Sequence, residues 1–241
     1  MKRILADLHI HTVLSPCASE EMTPPAIVRA AVAKGLGMIA ICDHNAADNV
    51  RATQEAAGEA LAVLAGMEVT TAEEVHVLGL FPDAAEAASA AEEVQATLPD
   101  RPEGGDRQWL MDADGRVVGS LGKMLSAASR FPLEQAVGLI KRHGGMAVAS
   151  HVDRPSFSVM SQLGLFPAGA GFDAIEVFCA AGKPEAEARW ASLGLPIFHS
   201  SDSHYLAEIA SRTTSLTMQG ATFTELRTMI RRGAGGPPRG A

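Results

Sequence analysis

Aromatic residues and cysteines are scarce in this sequence of 241 residues. Phe, Trp and Tyr account for 5% of the chain, so a core drawn from its 47% hydrophobic residues must consist mainly of aliphatic side chains. The three cysteines, Cys17, Cys42 and Cys179, are odd in number and form no CxxC pair, which argues against a disulfide framework. A reducing, cytoplasmic location is therefore expected.

The chain also lacks an excess of positive charge, long apolar runs and glycine motifs for nucleotides. Its 20 Lys and Arg residues against 28 Asp and Glu residues leave a formal net charge of −8, which repels polyanions. We expect no stable nucleic-acid complex, although bound cations would permit a phosphorylated substrate. No apolar run is long enough for a signal peptide or a membrane span, so no membrane partner is expected. Neither a Walker A sequence nor a dinucleotide fingerprint occurs.

Short β-type runs alternate with Ala-rich helical stretches, a pattern that predicts an α/β fold with parallel strands. Residues 1–232 are expected to form one domain, and the Gly- and Pro-rich segment 233–241 a disordered tail. The rhythm breaks at 99–129, where runs at 108–111 and 116–119 predict a β-hairpin insertion. The predicted strands of the main sheet are 4–9, 38–42, 62–69, 75–81, 146–150, 173–178, 196–200 and 213–218.

Histidines and acids recur where the predicted strands end. His9 and His11 flank one residue at the end of the first strand, so both imidazoles can point to one face and one metal ion. In a parallel barrel, residues just past the carboxyl ends of the strands meet at one face. Such a cluster is costly to bury unless cations compensate it. The further candidates are Asp43, His44, Glu68, His76, His151, Glu176, Asp202 and His204.

The types of ligand indicate the metal and the chemistry. Imidazole and carboxylate suit Zn, Mn or Fe and fit Ca or Mg poorly. The cluster has more groups than the three or four that one ion needs, which implies two or three divalent ions that share a carboxylate. Clustered cations generate a hydroxide at neutral pH and neutralise a phosphate in the transition state. The cluster therefore predicts metal-assisted hydrolysis.

Five short motifs follow one another along nearly the whole chain: Asp7-Leu8-His9-Ile10-His11-Thr12, Cys42-Asp43-His44-Asn45, Gly66-Met67-Glu68, Ser150-His151-Val152-Asp153-Arg154 and Ser201-Asp202-Ser203-His204. In this order they resemble the successive motifs of the PHP (polymerase and histidinol phosphatase) family. The resemblance implies a distorted (β/α)7 TIM-like barrel and a trinuclear metal phosphoesterase. It is closer to the stand-alone phosphoesterases than to the polymerase-attached domains.

The resemblance also implies how the ligands are divided among the ions. The first ion would take His9, His11, Glu68 and Asp202. The second would take His44 and His204, and Glu68 would bridge to a third ion that is completed by His76 and His151. Cys17 stands where some relatives supply another histidine, so it is either a further ligand of the second ion or a loop thiol.

Other residues have expected roles around the ions. Arg154 either grips phosphate oxygens with a bidentate fork or pairs with a nearby acid, and Lys183 is a second candidate for phosphate binding. Asp43 adjoins a ligand and is expected to orient an imidazole, while Glu176 is either an orienting acid or a ligand. The expected catalytic residues are Asp202, Glu68 and Arg154.

The sequence thus predicts a metal-dependent phosphoesterase. We expect a phosphomonoesterase that uses a metal-bound hydroxide on a small phosphorylated metabolite or nucleotide. An amidohydrolase-type barrel also opens with His-x-His, but it commonly bridges its metals with a carbamylated Lys where this chain has Glu68. A short-oligonucleotide exonuclease is a further possibility, against which the acidic charge argues. A catalytically silent metal-binding regulatory domain is another alternative, but such a domain would be expected to have lost several ligands, and this chain has nearly all of them.

Overall fold

The computed structural model of the protein describes residues 1–180 and 183–234. Its main feature is an eight-stranded sheet in the order β10-β1-β2-β3-β4-β7-β8-β9, which curls into a nearly closed barrel. A bridge between Ile10 and Ser203 links the first strand to the segment after β9. The strands are β1 (Lys2–Ile10), β2 (Met38–Ile41), β3 (Ala62–Thr70), β4 (His76–Phe81), β5 (Trp109–Met111), β6 (Val117–Ser120), β7 (Met146–Ala149), β8 (Ala174–Glu176), β9 (Ile197–Phe198) and β10 (Thr214–Met218). The barrel confirms the predicted fold class.

Three strand pairs are antiparallel where the alternating pattern predicted parallel strands. β4 is antiparallel to both β3 and β7, and β10 is antiparallel to β1, whereas the other neighbours in the barrel are parallel. The link between Thr70 and His76 is too short for the crossover that a parallel pair needs, so the chain turns back as a hairpin. Thr70 therefore pairs with His76, and the start of β4 lies at the rim where β3 ends.

Seven α-helices accompany the strands in the described residues. Ser158 and Ser161 form a capping box at the start of helix α5 (Val159–Leu163). Helix α2 (Val50–Ala57) begins after Asn49. The helices are α1 (Pro24–Ala33), α2 (Val50–Ala57), α3 (Ala84–Gln95), α4 (Leu133–Arg142), α5 (Val159–Leu163), α6 (Pro184–Ala191) and α7 (Phe223–Ala234).

The central barrel strands β2, β4 and β7 are buried on both faces, as in other sheets covered by helices, whereas β10 alternates between buried and more exposed residues. Along β2, Met38 and Ala40 join the apolar cluster inside the barrel, while Ile39 and Ile41 join the cluster under the helices. Helix α7 packs against the inner cluster, which at this end includes the first residues of β1. The polar residues described below lie at the opposite end of β1.

The expected hairpin insertion is present. β5 and β6 pair antiparallel, with Trp109 opposite Ser120. The side chain of Asn49 ties the hairpin to the barrel, because it accepts the Met111 N–H at 2.9 Å and donates to the Trp109 carbonyl at 3.0 Å. At the other end of the chain, α7 continues to Ala234, two residues into the expected tail. The remainder of that tail, 235–241, lies outside the described residues.

Candidate metal centre

His9 lies in β1 and His11 directly follows it at the mouth of the barrel. Both residues are fully buried, and their Nε2 atoms lie 3.1 Å apart. The two imidazoles therefore face a common point, which is the arrangement that the His-x-His spacing predicted.

Glu68, near the end of β3, lies at the centre of the cluster. It is buried, and its two carboxylate oxygens are each close to several imidazole nitrogens. The N–O separations are 3.0 Å for His44, 3.2 Å for His76, 3.3 Å for His151, 3.4 Å for His9 and 3.6 Å for His11. One carboxylate thus meets ligands from different strands, as a bridging ligand must.

Asp202 and His204 come from the loop after β9. Asp202 Oδ1 lies 3.1 Å from His11 Nε2 and 3.3 Å from His9 Nε2. The His204 ring stacks on the His11 ring with 4.1 Å between centroids. Asp202 and His151 have positive φ angles of 52° and 27°, a strained conformation that recurs at functional sites. The strain is located where these two loops deliver ligands to the cluster.

Three overlapping sets of ligand atoms converge among the described residues. In each set, one atom from every member lies within 4.8 Å of the others. The first set is the one that the family resemblance implies for the first ion. The second set adds His11 to His44 and His204, the pair expected for the second ion. The third set contains His44 where the resemblance implies His151. The sets are His9, His11, Glu68 and Asp202; His11, His44 and His204; and His44, Glu68 and His76.

Several buried polar atoms in the cluster approach one another without forming an aligned hydrogen bond. They are both carboxylate oxygens of Glu68, Nδ1 of His44 and both ring nitrogens of His151. An unpaired buried polar group costs about 1–3 kcal/mol, so such atoms normally have a partner. Unpaired imidazole and carboxylate atoms that converge on one space are the donors that Zn, Mn and Fe take. The residues therefore fit divalent metal ions.

The cluster keeps its carboxylates charged despite their burial. Burial raises the pKa of Glu68, but the surrounding imidazoles, led by His76 and His9, hold that pKa well below its usual range. Burial likewise raises the pKa of Asp202, and the charge of His9 with a hydrogen bond from His11 lowers it well below its usual range. Metal ligands must be deprotonated, and both carboxylates meet this requirement at neutral pH.

Glu176 forms hydrogen-bond contacts with two of the histidines. It is fully buried in β8, and its carboxylate oxygen lies 3.0 Å from His9 Nδ1. The same oxygen accepts the backbone N–H of His151 at 3.0 Å. Glu176 is absent from the three ligand sets of the described residues, so its geometry is that of an orienting acid.

Asp43 orients an imidazole through an intermediate serine. Its carboxylate accepts the Thr12 backbone N–H and the Ser15 hydroxyl, each at 2.7 Å. The Ser15 hydroxyl oxygen in turn lies 3.0 Å from His11 Nδ1. The imidazole that Asp43 reaches through Ser15 is therefore that of His11 rather than that of the adjacent His44.

Cys17 borders the second ligand set. Burial raises the pKa of its thiol, but hydrogen bonds with His204 and His44 lower it to about 6. The residue is exposed, and in the described part of the chain it belongs to none of the sets that converge within 4.8 Å. Cys17 is therefore a rim thiol in contact with ligand histidines.

Arg154 reaches the cluster, and Lys183 does not. Arg154 forms an ion pair with Asp202, and its guanidinium lies 4.2 Å from the centroid of the Phe178 ring. Lys183 Nζ instead donates to the Cys179 carbonyl at 3.1 Å. Within the described residues, Lys183 has no hydrogen bond or ion pair with the cluster.

Arg212 is a second cation at the site, and no sequence motif indicates it. Its guanidinium lies 3.7 Å from the centroid of the Phe178 ring, and its Nε donates to the Phe178 carbonyl at 3.0 Å. With Arg154, Asp202 and His204 it lines a cavity of about 310 Å³. The one signal in the sequence that indicates Arg212 is its position shortly after the last motif.

A second cavity, of about 320 Å³, opens beside other ligands of the cluster. The two cavities share Cys17, and each is also lined by histidines of the cluster. The second cavity is lined by Pro16, Cys17, His44, Thr70, His76, Asp106, Ser126 and Phe157. The hairpin insertion thus contributes to the mouth of the site through Asp106 and Ser126.

Comparison with known proteins decides the family. A model of the PHP domain matches residues 7–157, which is more than half of the chain and includes the motifs from His9 to His151. The chain belongs to the PHP domain family. Asp202 and His204 lie beyond the matched segment, and it is the barrel that brings them to this PHP protein's other ligands.

Solved structures share the fold of this PHP protein. Endonuclease Q from Pyrococcus furiosus has a TM-score of 0.75 and 20% identity, over 98% of this chain and 57% of that one. Endonuclease Q bound to a 27-mer duplex with an abasic lesion has a TM-score of 0.76 and 19% identity, over 98% and 58% of the two chains. The PHP protein therefore spans a little over half of endonuclease Q.

A third similar structure is a two-domain protein from Bacteroides vulgatus that contains a predicted PHP-like metal-dependent phosphoesterase. Its TM-score is 0.61 and its identity 16%, over 97% of this chain and 64% of that one. At such identities the likeness shows a common fold. No curated protein matches the sequence. Among the described residues, no helix has the length and apolar character needed to span a bilayer.

Proposed function

We propose that this PHP protein is a metal-dependent phosphoesterase that hydrolyses a phosphate monoester of a small molecule. The observation that carries the proposal is the shared position of Glu68 in two of the three ligand sets. Membership of the PHP family and the likeness to a PHP-like phosphoesterase support phosphoester chemistry. The imidazole and carboxylate donors favour two or three Zn, Mn or Fe ions.

The ions would be held by the three ligand sets, with His151 beside Glu68. When bound, they supply positive charge that polarises a phosphoryl oxygen and lowers the pKa of water. The chain itself would orient the substrate, because Arg154 and Arg212 line the cavity next to Asp202. A guanidinium has five N–H donors, so Arg154 can keep its ion pair with Asp202 and still donate to phosphate oxygens.

Substitution of the shared carboxylates tests the proposal. We expect Glu68→Gln and Asp202→Asn each to lower the turnover of an aryl phosphate by more than about 100-fold, since even the residues that orient metal ligands contribute 10- to 100-fold. Asp114→Asn is the matched control, because it removes one carboxylate from an exposed turn of the hairpin. Circular dichroism would establish that each variant is folded.

Turnover at the wild-type level in both folded variants would reject the proposal. If a variant fails to fold, removal of metal from the wild-type protein by a chelator gives the same decision. We expect activity to disappear with the metal and to return when Zn, Mn or Fe is added back. A wild-type protein that is folded and loaded with metal but hydrolyses no phosphate ester would instead favour a silent regulatory domain.

A second candidate function is cleavage of a nucleic acid strand. The observation that favours it is the TM-score of 0.76 to endonuclease Q over 98% of this chain. The formal charge of −8 opposes binding to a long polyanion. A panel of an aryl phosphate, a mononucleotide, a short oligonucleotide and a duplex with an abasic site separates the two candidates. We expect the monoesters to be the better substrates, and a preference for the duplex would replace our proposal with the second candidate.

We also propose that the protein works in the cytoplasm. Cys17, Cys42 and Cys179 are all free thiols, which suits a reducing compartment. The thiol of Cys17 is exposed next to ligand histidines, so an oxidising compartment would threaten the site. Fractionation of the native cells tests this location.

A further inference from the structure

Phe157 occupies an unusual position beside the metal centre. Its φ angle is +55°, a conformation that a bulky side chain seldom adopts. Its ring stacks on His76 at 4.7 Å between centroids and 17° between planes, and its carbonyl accepts the His76 N–H at 2.8 Å. The residue is nevertheless 42% exposed, although most large apolar side chains of this protein are buried. Covering His76 alone would require neither the strain nor the exposure.

The exposed part of Phe157 borders the cavity that also contains His44 and His76. Two hydroxyls, those of Thr70 and Ser126, line the same space. Neither hydroxyl has a hydrogen bond with any residue that the structure describes, so both are available to a ligand. A volume of about 320 Å³ is at the lower end of the range for small-molecule sites. An aromatic wall with a few free hydrogen-bonding groups is the usual composition of a site for a flat ring.

The two cavities differ in the groups that they offer to phosphate. Apart from histidine and cysteine, the one ionisable side chain that lines the Phe157 cavity is the acid Asp106. The other cavity contains the guanidinium groups of Arg154 and Arg212 beside the carboxylates of Asp202 and Glu208. Guanidinium donors for a phosphate therefore line the second cavity and not the Phe157 cavity. A substrate that spans the cluster would place an uncharged part against Phe157.

We propose that Phe157 is the surface on which the nucleobase of a nucleoside phosphate stacks, with its phosphate at the metal centre. This inference rests on the proposed phosphoesterase function and names its substrate class. Every base has a π face, so stacking on one aromatic ring selects nucleotides without selecting one base. The free hydroxyls of Thr70 and Ser126 can accept or donate hydrogen bonds at the edge of the base.

The experiment compares AMP with ribose 5-phosphate, which has the same phosphate and sugar but no base. We expect kcat/KM for AMP to exceed that for ribose 5-phosphate by about 5- to 150-fold, the range that one base–aromatic stack supplies. Phe157→Leu keeps an apolar cover on His76 but removes the aromatic ring. It should reduce this preference to near unity, because the turnover of AMP falls more than that of ribose 5-phosphate. Phe157→Tyr keeps the ring and should retain the preference.

Binding measurements separate this inference from the proposed function. Calorimetry of adenosine with the wild-type protein and with Phe157→Leu needs no turnover, so it decides the stacking role even if no ester is hydrolysed. Weaker adenosine binding in Phe157→Leu supports the inference. Equal adenosine binding, or an equal loss of both turnovers, would overturn it, because the ring would then act only through His76. Comparison of kcat/KM for a dinucleotide with that for AMP shows whether the base belongs to a free nucleotide or to the end of a strand.

Discussion

Replacement of Glu176 by Gln should weaken metal binding without touching a ligand of the proposed ions. Glu176 lies 3.0 Å from His9 Nδ1 and accepts the His151 N–H at 3.0 Å. Gln has nearly the same shape but no charge, so both contacts change from charge-assisted to neutral hydrogen bonds. A carboxylate behind a ligand histidine fixes the imidazole and increases its basicity, and that support is lost in the variant.

The size of the effect follows from these two contacts. A hydrogen bond to a charged group contributes about 1.5–3 kcal/mol and a neutral one about 0.5–1.5 kcal/mol, so each contact loses roughly 1 kcal/mol. Two contacts amount to about 2 kcal/mol, and each 1.36 kcal/mol is a factor of ten. We therefore expect the metal Kd to rise by about 30-fold, within the 10- to 100-fold range for residues that support ligands.

Competition with a chromophoric chelator measures this change directly. Glu92→Gln is the matched control, because it removes the same charge from an exposed position on α3 and should leave the metal Kd unchanged. Thermal unfolding of the metal-free proteins separates a loss of affinity from a loss of fold. A folded Glu176→Gln variant whose Kd lies within about threefold of the wild type would show that this carboxylate does not support His9. A similar rise in Glu92→Gln would mean that only net charge matters.

Three further predictions concern other parts of the molecule. Gly66→Ala should lower the free energy of unfolding in chemical denaturation by about 1–3 kcal/mol or more, because the new Cβ would lie 2.6 Å from Cys42 Sγ. An unchanged denaturation midpoint would refute that contact. Arg212→Ala should raise KM for a phosphate ester by about tenfold and change kcat less, in keeping with a lost charge-assisted contact; an unaltered KM would remove Arg212 from the site. The hydrogen bonds with Glu93 and Glu86 raise the pKa of His143. The contribution of His143 to folding stability is therefore complete below its usual pKa of 6.5 and is lost as the pH rises through the raised pKa. The pKa of Glu93 is lowered, so the contribution of Glu93 to folding stability is present above pH 4.5. His143→Gln should therefore lower the free energy of unfolding most between about pH 4.5 and 6.5, and by no more than about 1 kcal/mol because the pair is exposed. A loss of stability that does not depend on pH would exclude the ion pair.

The sequence alone was sufficient for the local features of the barrel and the ligand types. The 2.0-residue period of strands already places His9 and His11 on one face, and the apolar runs at β2 and β7 are long enough only for buried strands. The hairpin signal at 108–119 was also local, since it depends on a turn between two short runs. The family motifs imply one ligand set of His9, His11, Glu68 and Asp202, and these four side chains converge in the structure. That they bind one ion stays a prediction.

Other features depend on contacts between distant parts of the chain, which no local pattern records. The antiparallel direction of β4 is one, and it explains why a histidine at the start of a strand joins ligands at the ends of others. The partner of Arg154 is another, because its pairing with Asp202 requires two loops to meet. Arg212 and Phe157 belong to no motif, and only the closure of the barrel brings them to the cavities beside the metal centre. Periodicity and the types of ligand residue can be read from a few neighbouring residues, whereas the cavities beside the metal centre and the groups that line them arise only when the barrel closes.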